Sequence, residues 1–277
     1  VILIRLNPIA NVLYQNIHVI NKFSNVIKIF SNDLSKEKIQ KILKINKNKK
    51  LKIKKIILKN LSFDYLNSKN KLLSKINMNF EKGEFTGIIG SSGSGKSTIA
   101  DIITNFIKIK NSNNSHIKYL NEEGKLLSSN EAISEILLLS QRTFLFNESI
   151  LENITQKKII NKDEDINFIK AMKLANMEKF IKFKKRQYKG EISNKFSGGE
   201  LQRLALARAL YQEKDVIIFD ESLSSLNKEN QIQIMKELQK IKKNKILIMI
   251  THDINLNKFF DKIYQLENGN IKKLDKN

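Results

Sequence analysis

Gly90-Ser91-Ser92-Gly93-Ser94-Gly95-Lys96-Ser97-Thr98 decides how the rest of this chain is read. It follows a short apolar run (Phe85, Ile88, Ile89) and opens onto Ile99, Ile102, Ile103 and Phe106, which recur at helical spacing. Strand, glycine loop and helix in that order are the context a phosphate-binding loop requires. The glycines admit φ > 0 and let backbone N–H groups turn inward around an anion. The free N–H groups and dipole of the new helix favour the same negative charge. Lys96 is placed to reach terminal phosphates, and the Ser97 hydroxyl to ligate Mg²⁺. A Gly/Ser turn that merely carries a lysine would not need a strand before it and a helix after it. The stretch reads as a nucleoside triphosphate site.

Composition bounds the remainder. The 277 residues have room for one α/β core plus a smaller subdomain or extension. A formal net charge of +22 suggests an anionic partner: nucleic acid, a phospholipid surface or nucleotide. The lysines are nevertheless spread along the whole chain among many Asn and Ile residues, so they read as residue usage and a solvated surface. With no cysteine, disulfides, thiolate catalysis and cysteine metal sites are excluded, and a reducing compartment is expected. No signal-peptide pattern occurs, and no apolar run approaches the ~18–20 residues a spanning helix needs. The chain begins at Val1 rather than Met, so it is expected to be a fragment whose missing N-terminal part sits in a membrane.

Taken in order, Ile9 to Phe30 carries one apolar stripe (Ile9, Leu13, Ile17, Ile20, Phe23, Ile27, Phe30) and predicts an amphipathic helix, with Pro8 in its first turn. Lys36 to Lys50 reads as a weak helix and linker, with the main domain beginning near Asn46 to Lys50. Ile53, Ile56, Leu58 and Leu61–Phe63 predict strands, Asn67 to Asn70 a turn, and Leu72 to Phe80 another strand. Asn111 to Ser115 reads as a polar loop, and Ile136 to Leu139 as a fully covered strand. Ser149 to Lys185 is helical in period, with Ile166, Ile169, Met172 and Phe180 on one face. Ser197 caps a helix through Leu210, and Lys228 to Ile241 forms another. Val216 to Phe219 and Ile246 to Ile250 predict buried strands. The alternation predicts a covered, largely parallel sheet.

Two further constellations carry chemistry. Val216 to Phe219 runs into Asp220-Glu221, and a buried parallel strand delivers such carboxylates at its C-terminal edge. There Asp220 can hold Mg²⁺ and Glu221 can accept a proton from an attacking water. Phe196-Ser197-Gly198-Gly199-Glu200 opens a helix with exposed N–H groups, a second anion site. One triphosphate does not need two such cradles, so the second should serve another molecule.

At this point the chain resembles the ATP-binding cassette (ABC) ATPases, whose signature reads Ser-Gly-Gly-Gln or close to it. Phe196 stands for the family's Leu, and Glu200 for its Gln. The likeness covers Lys52 to Leu274 and implies an α/β fold: a RecA-like P-loop NTPase core with an antiparallel β subdomain and a helical subdomain about residues 142–196. It further implies that Tyr65 stacks on adenine, that Gln141 contacts Mg²⁺ and senses a transmembrane partner, and that His252 lies near the γ-phosphate. Ser224-Ser225-Leu226-Asn227 stands where the family has Ser-Ala-Leu-Asp, so Asn227 replaces a charged interface contact. His18 and His116 read as ordinary polar residues.

Phe144 to Ile154 resembles the segment after the glutamine loop of exporter-type members. Gly190-Glu191 resembles their cross-contact loop, with Ser193 where a glycine is expected. Arg5-Leu6-Asn7-Pro8 and the helix to Phe30 resemble the cytoplasmic end of a last transmembrane helix. Residues 1–46 are thus expected to be the remnant of a transmembrane domain and 47–277 the nucleotide-binding domain. The opening stretch and Thr98 to Asp101 are most like bacterial lipid-linked oligosaccharide flippases. What the likeness implies is an ATPase, with ATP and Mg²⁺ as cofactors, powering export or flipping of a lipid, glycolipid, peptide or drug-like substrate. It also implies a head-to-tail homodimer in which Ser197 and Gly199 meet the γ-phosphate held by the other chain's Lys96, at the cytoplasmic side of the inner membrane. The competing expectation is a soluble ABC ATPase acting on nucleic acid or ribosomes. Against it, no heptad insertion and no second cassette occur, so no nucleic acid is expected.

Overall fold

A computed structural model of the chain describes residues 52–65, 72–109, 116–141, 144–146, 148–183 and 196–274. The expected helix over Ile9 to Phe30, the boundary near Asn46 to Lys50, the turn at Asn67 to Asn70, the loop at Asn111 to Ser115 and the Gly190-Glu191 segment lie outside them.

Two sheets form. β1 (Ile53–Phe63), β2 (Leu73–Glu81), β4 (His116–Asn121) and β5 (Leu126–Leu127) make a four-stranded antiparallel sheet in the order β2-β1-β4-β5. The second sheet contains β3 (Phe85–Ile89), β6 (Ile136–Leu139), β7 (Val216–Asp220), β8 (Ile246–Thr251), β9 (Lys262–Glu267) and β10 (Asn270–Leu274), ordered β10-β9-β3-β8-β7-β6. Its five strands from β9 to β6 pair in parallel, and β10 joins antiparallel. The separate runs expected at Ile53–Leu58 and Leu61–Phe63 are one strand with a register shift between Leu58 and Leu61, where Asn60 takes φ +50°.

Period-2 alternation builds two cores, one on each face of the parallel sheet. Val216, Ile218, Ile246, Ile248 and Ile250 face α1 (Lys96–Ile103) and the antiparallel sheet, through Ile99, Ile102, Ile103, Ile56 and Phe80. Ile217, Phe219, Leu247 and Met249 face the other side. There they join residues of α3 (Ile150–Thr155), α4 (Lys162–Leu174), α5 (Gly198–Tyr211) and α6 (Lys228–Ile241). A short α2 (Ser129–Ile133) precedes β6. Each buried Ile or Phe contributes about 1.5–3 kcal/mol relative to exposure, so this two-sided burial holds the sheet together. Helix α1 stops before the Phe106 its spacing suggested. The Tyr119 hydroxyl donates to the Ile103 carbonyl at 2.7 Å, satisfying the helix end, and Phe106 is exposed.

Three expectations are corrected. β6 is the edge strand of the parallel sheet, and all four of its residues are only half-buried rather than covered. An edge strand has a neighbour on one side only, whatever its composition. The helical period from Ser149 is not one helix: α3 ends at Gln156, which takes φ +58°, and α4 starts afresh from an Asn161 cap. Finally, α4 buries Phe168, Ala171 and Met172, while Ile166 is exposed.

The junction between α3 and α5 is polar and closed. Asn153, 2% exposed, accepts from the Phe146 N–H (2.8 Å) and donates to the carbonyls of Phe146, Glu148 and Ser149. Arg208 of α5 donates to the Asn153 carbonyl at 2.6 Å, to its side-chain oxygen at 3.0 Å and to the Phe144 carbonyl at 2.9 Å. One amide and one guanidinium thereby pin the segment after Gln141 onto α5. Asn153→Ala removes one of the three Arg208 hydrogen bonds and leaves the backbone groups of Phe146, Glu148 and Ser149 without the Asn153 side chain, so urea denaturation should show a loss of about 2–3 kcal/mol.

Candidate nucleotide site

The phosphate loop leaves the end of β3, and its glycines are there for steric reasons. A Cβ at Gly90 would lie 2.3 Å from the Leu266 carbonyl oxygen. Gly95 holds φ +101° as the N-cap of α1, with no side chain covering the helix's first N–H groups. Lys96 is nearly buried and donates to the carbonyls of Gly90 (3.0 Å) and Ser91 (2.7 Å). The cation is thus held inside the loop by oxygen dipoles rather than by a carboxylate.

Strand register brings the remaining chemistry to the same edge. Leu139 pairs with Phe219, and Asp220 with Ile250, so Gln141, Glu221 and His252 emerge at nearly one level. Gln141 Nε2 lies 3.4 Å from Glu221 Oε2, and His252 Nδ1 lies 3.4 Å from Glu221 Oε1. Glu221 takes φ +48°, a left-handed conformation that costs a non-glycine residue about 1 kcal/mol or more. Its N–H still donates to the Ile250 carbonyl (3.0 Å), which extends the ladder through the turn.

A cavity of about 410 Å³ joins these parts. It is lined by Tyr65, Leu72, Ser92, Gly93, Gly95, Lys96, Ser97, Thr98, Gln141, Asp220 and Glu221. Tyr65 is half-exposed, stands edge-on to Phe63, and its hydroxyl is 3.3 Å from Thr98 Oγ1. A second cavity, about 490 Å³, shares Glu221 and carries His252 and Ser222 to Ser224. Gly90, Ser91 and Ser94 shape the loop without lining either space. Leu72, which the sequence pattern did not single out, packs close to where a Cβ on Gly95 would sit.

Ser197, Gly198 and Gly199 line neither cavity. Ser197 and Gly198 are exposed at the head of α5, where the Ser197 hydroxyl accepts from the Glu200 N–H (3.3 Å). Burial raises the Glu200 carboxyl, but hydrogen bonds from Ser197 and Lys179 outweigh it and leave the group below its ordinary range. Glu200 thus closes a capping box, a role that a glutamine can also fill. Asn227 accepts from the Asn230 N–H at 3.0 Å and caps α6. The signature helix and this loop are tied directly: the Ser225 N–H donates to Gln202 Oε1 at 3.1 Å.

The model matching residues 73–224 is that of the ABC transporter family, over more than half of the chain. The chain belongs to the ABC transporter family. Its similarity to the alpha-hemolysin translocation ATP-binding protein HlyB of Escherichia coli O157:H7 is 34% identity over 225 residues, 77% of this chain and 30% of that protein. The ATP-dependent lipid A-core flippase of Wigglesworthia glossinidia brevipalpis is 35% identical over 218 residues, 77% of this chain and 36% of the flippase. The leukotoxin translocation ATP-binding protein LktB of Mannheimia glucosida is 33% identical over 228 residues, 78% and 30%. Among solved structures, a bacterial Atm1-family ABC exporter with ATP bound superposes with a TM-score of 0.67 at 25% identity, covering 80% of this chain and 39% of that one. The chain spans about a third of the length of these curated relatives. It is the ABC ATPase portion, and it binds ATP.

Among the described residues no three His, Cys, Asp or Glu side chains cluster closely enough to form a metal site of their own. The edge nevertheless suits Mg²⁺ bound together with a nucleotide. Asp220 Oδ1 is buried without a hydrogen-bond partner. Burial pushes the Asp220 carboxyl above its ordinary range, and the Ser97 hydroxyl and Lys96 only partly offset this. Hard oxygen donors with an unsatisfied carboxylate are what this cation takes. Because ionising Asp220 is disfavoured in the fold, its stability contribution is full below the unfolded value near 3.8 and falls as pH rises through the raised value. Asp220→Asn should therefore raise the melting midpoint of nucleotide-free, metal-free protein by a few degrees at pH 7–8. The gain should shrink to nothing near pH 3.5 in a thermal-melt series.

Proposed function

We propose that this chain is the ATP-hydrolysing end of an ABC exporter, working as a head-to-tail pair with a second copy. The observation that carries the reading is the division of its anion-binding parts. Lys96, Ser97, Gln141, Asp220 and Glu221 share one cavity, whereas Ser197 and Gly199 stand outside it at the head of α5.

In this reading the loop amides from Gly90 to Thr98 cradle the phosphates and Lys96 exchanges its carbonyl partners for phosphate oxygens. Tyr65 stacks on the adenine, its hydroxyl already tethered near Thr98. Glu221 orients the attacking water in line with the γ-phosphoryl group, and its neighbours Gln141 and His252 hold that carboxylate from two sides. Ser97, Gln141 and Asp220 would hold Mg²⁺, which supplies charge neutralisation for the phosphoryl oxygens. Ser197, Gly198 and Gly199 of a facing copy present helix N–H groups to the same γ-phosphate, and a two-fold operator makes two such sites.

Residues 1–46 are read as the end of a membrane domain in the same polypeptide and 47–277 as the ATPase, with its helical subdomain about 142–196. The protein then works at the inner (plasma) membrane with this domain on the cytoplasmic side. The names of the relatives, two translocation ATP-binding proteins and a flippase, support export or flipping of a peptide, lipid, glycolipid or drug-like substrate.

Two measurements test this. Glu221→Gln should lower steady-state turnover by about 100-fold or more and yield an ATP-bound dimer on size exclusion; unchanged turnover would remove Glu221 from its role. Lys96→Ala and Ser197→Arg should each be inactive alone. Mixed one to one, random pairing should restore about a quarter of wild-type activity, because half of the dimers carry one intact composite site. No restoration would mean that both cradles serve the same chain.

A further inference from the structure

The ends of β7 and β8 opposite the nucleotide cavity border another space. Asp215 immediately precedes β7 and Lys245 immediately precedes β8, and both line a cavity of about 560 Å³. Lysine and arginine together make up 50 of the 277 residues. Of the fifteen residues lining this cavity, six are lysines (Lys52, Lys82, Lys170, Lys240, Lys243, Lys245), against two acids, Glu213 and Asp215. The lysines arrive from separate parts of the fold: ahead of β1, after β2, in α4, at the end of α6, in the turn that follows it, and ahead of β8. Surface lysine usage spreads charge over one's own element. Here tertiary packing converges it.

The acidic partners cancel only part of this charge. Lys82 pairs with Glu122 at 2.7 Å, and Lys240 pairs with Glu237 on its own helix. Lys245 donates to the Lys214 carbonyl, and burial, aided by Lys170, holds it below the ordinary lysine range despite Asp215 and Glu213. Asp215 itself accepts from the Ile53 N–H at 2.9 Å. Lys52, Lys170 and Lys243 are exposed and have no ion pair among the described residues. Like charges gathered around one concavity repel, and the low-dielectric walls formed by Ala171, Leu174 and Leu210 concentrate their field.

We propose that this cavity is a second anion site, separate from the ATP site, for a soluble small molecule carrying two or more phosphates. Its volume lies in the range of small-ligand pockets. Several point-charge ammonium groups converging from different directions suit a multiply charged phosphate chain rather than a single planar carboxylate.

The test uses the 277-residue chain with its nucleotide site saturated by MgADP, and inorganic tripolyphosphate as the probe in titration calorimetry. Saturable one-to-one binding that weakens with ionic strength is expected. The triple variant Lys52→Glu/Lys170→Glu/Lys243→Glu should bind about 10-fold more weakly or not at all, with MgADP affinity unchanged. A control variant with the same charge change elsewhere, Lys59→Glu/Lys118→Glu/Lys273→Glu, should keep wild-type affinity. The proposal is overturned by competition with MgADP, by equal losses in both variants, by no saturable binding, or by binding to anionic phospholipid vesicles without binding to tripolyphosphate.

Discussion

Parallel pairing of β3, β8, β7 and β6 is the constraint on which the molecule depends. A parallel ladder forces each connection to cross over a face of the sheet, so both faces are covered and every strand finishes at the same edge. With Ile89 level with Thr251, Ile250 with Asp220, and Phe219 with Leu139, the next residue or two of each strand emerge together. The phosphate loop, His252, Glu221 and Gln141 are neighbours for that reason, although up to 162 residues separate the loop from the histidine in the chain. Slipping one strand by a residue would bury its charged tip or lift it away, and would also exchange the two cores.

That edge breaks several local rules at once. A lysine is nearly buried against carbonyls, an aspartate oxygen is buried without a partner, and a glutamate adopts a left-handed backbone. Each is unfavourable in the protein by itself, and each is held in place by neighbours that over-determine it. The two apolar cores supply the excess that makes this tolerable. Left-handed backbone also occurs elsewhere, at Asn60 and Gln156 for example, but at this edge it coincides with a buried lysine and a partnerless carboxylate oxygen, a combination that suits a charged ligand.

The helical part obeys a different economy. Three of its helices open with full capping boxes at Ser149, Asn161 and Ser197. The Asn153–Arg208 junction ties the segment that follows Gln141 to α5, while Gln202 ties α5 to the loop after Glu221. Helix α5 is therefore hydrogen-bonded to the segments that follow Gln141 and Glu221, although its own Ser-Gly-Gly head lines no part of the cavity.

Much was legible in the residues alone. The loop from Gly90 to Thr98 declares itself because glycine placement, Lys96 and the strand-to-helix switch are local. The Asp220-Glu221 pair declares itself because four apolar residues precede two charges. Ser197, Glu200 and the helix behind them follow from capping chemistry, which reaches only three residues. Tertiary structure alone decided the rest, because it turns on which distant segments meet. Nothing in Ile136–Leu139 says that it is an edge strand, and nothing in the apolar period from Ser149 says that the chain turns at Gln156. The bonds from Asn153 to Arg208, and the gathering of Lys52, Lys170, Lys243 and Lys245 around one cavity, join elements far apart in sequence. Local pattern fixes which way a side chain faces on its own element, whereas the company it keeps depends on strand order and crossover packing, which are long-range.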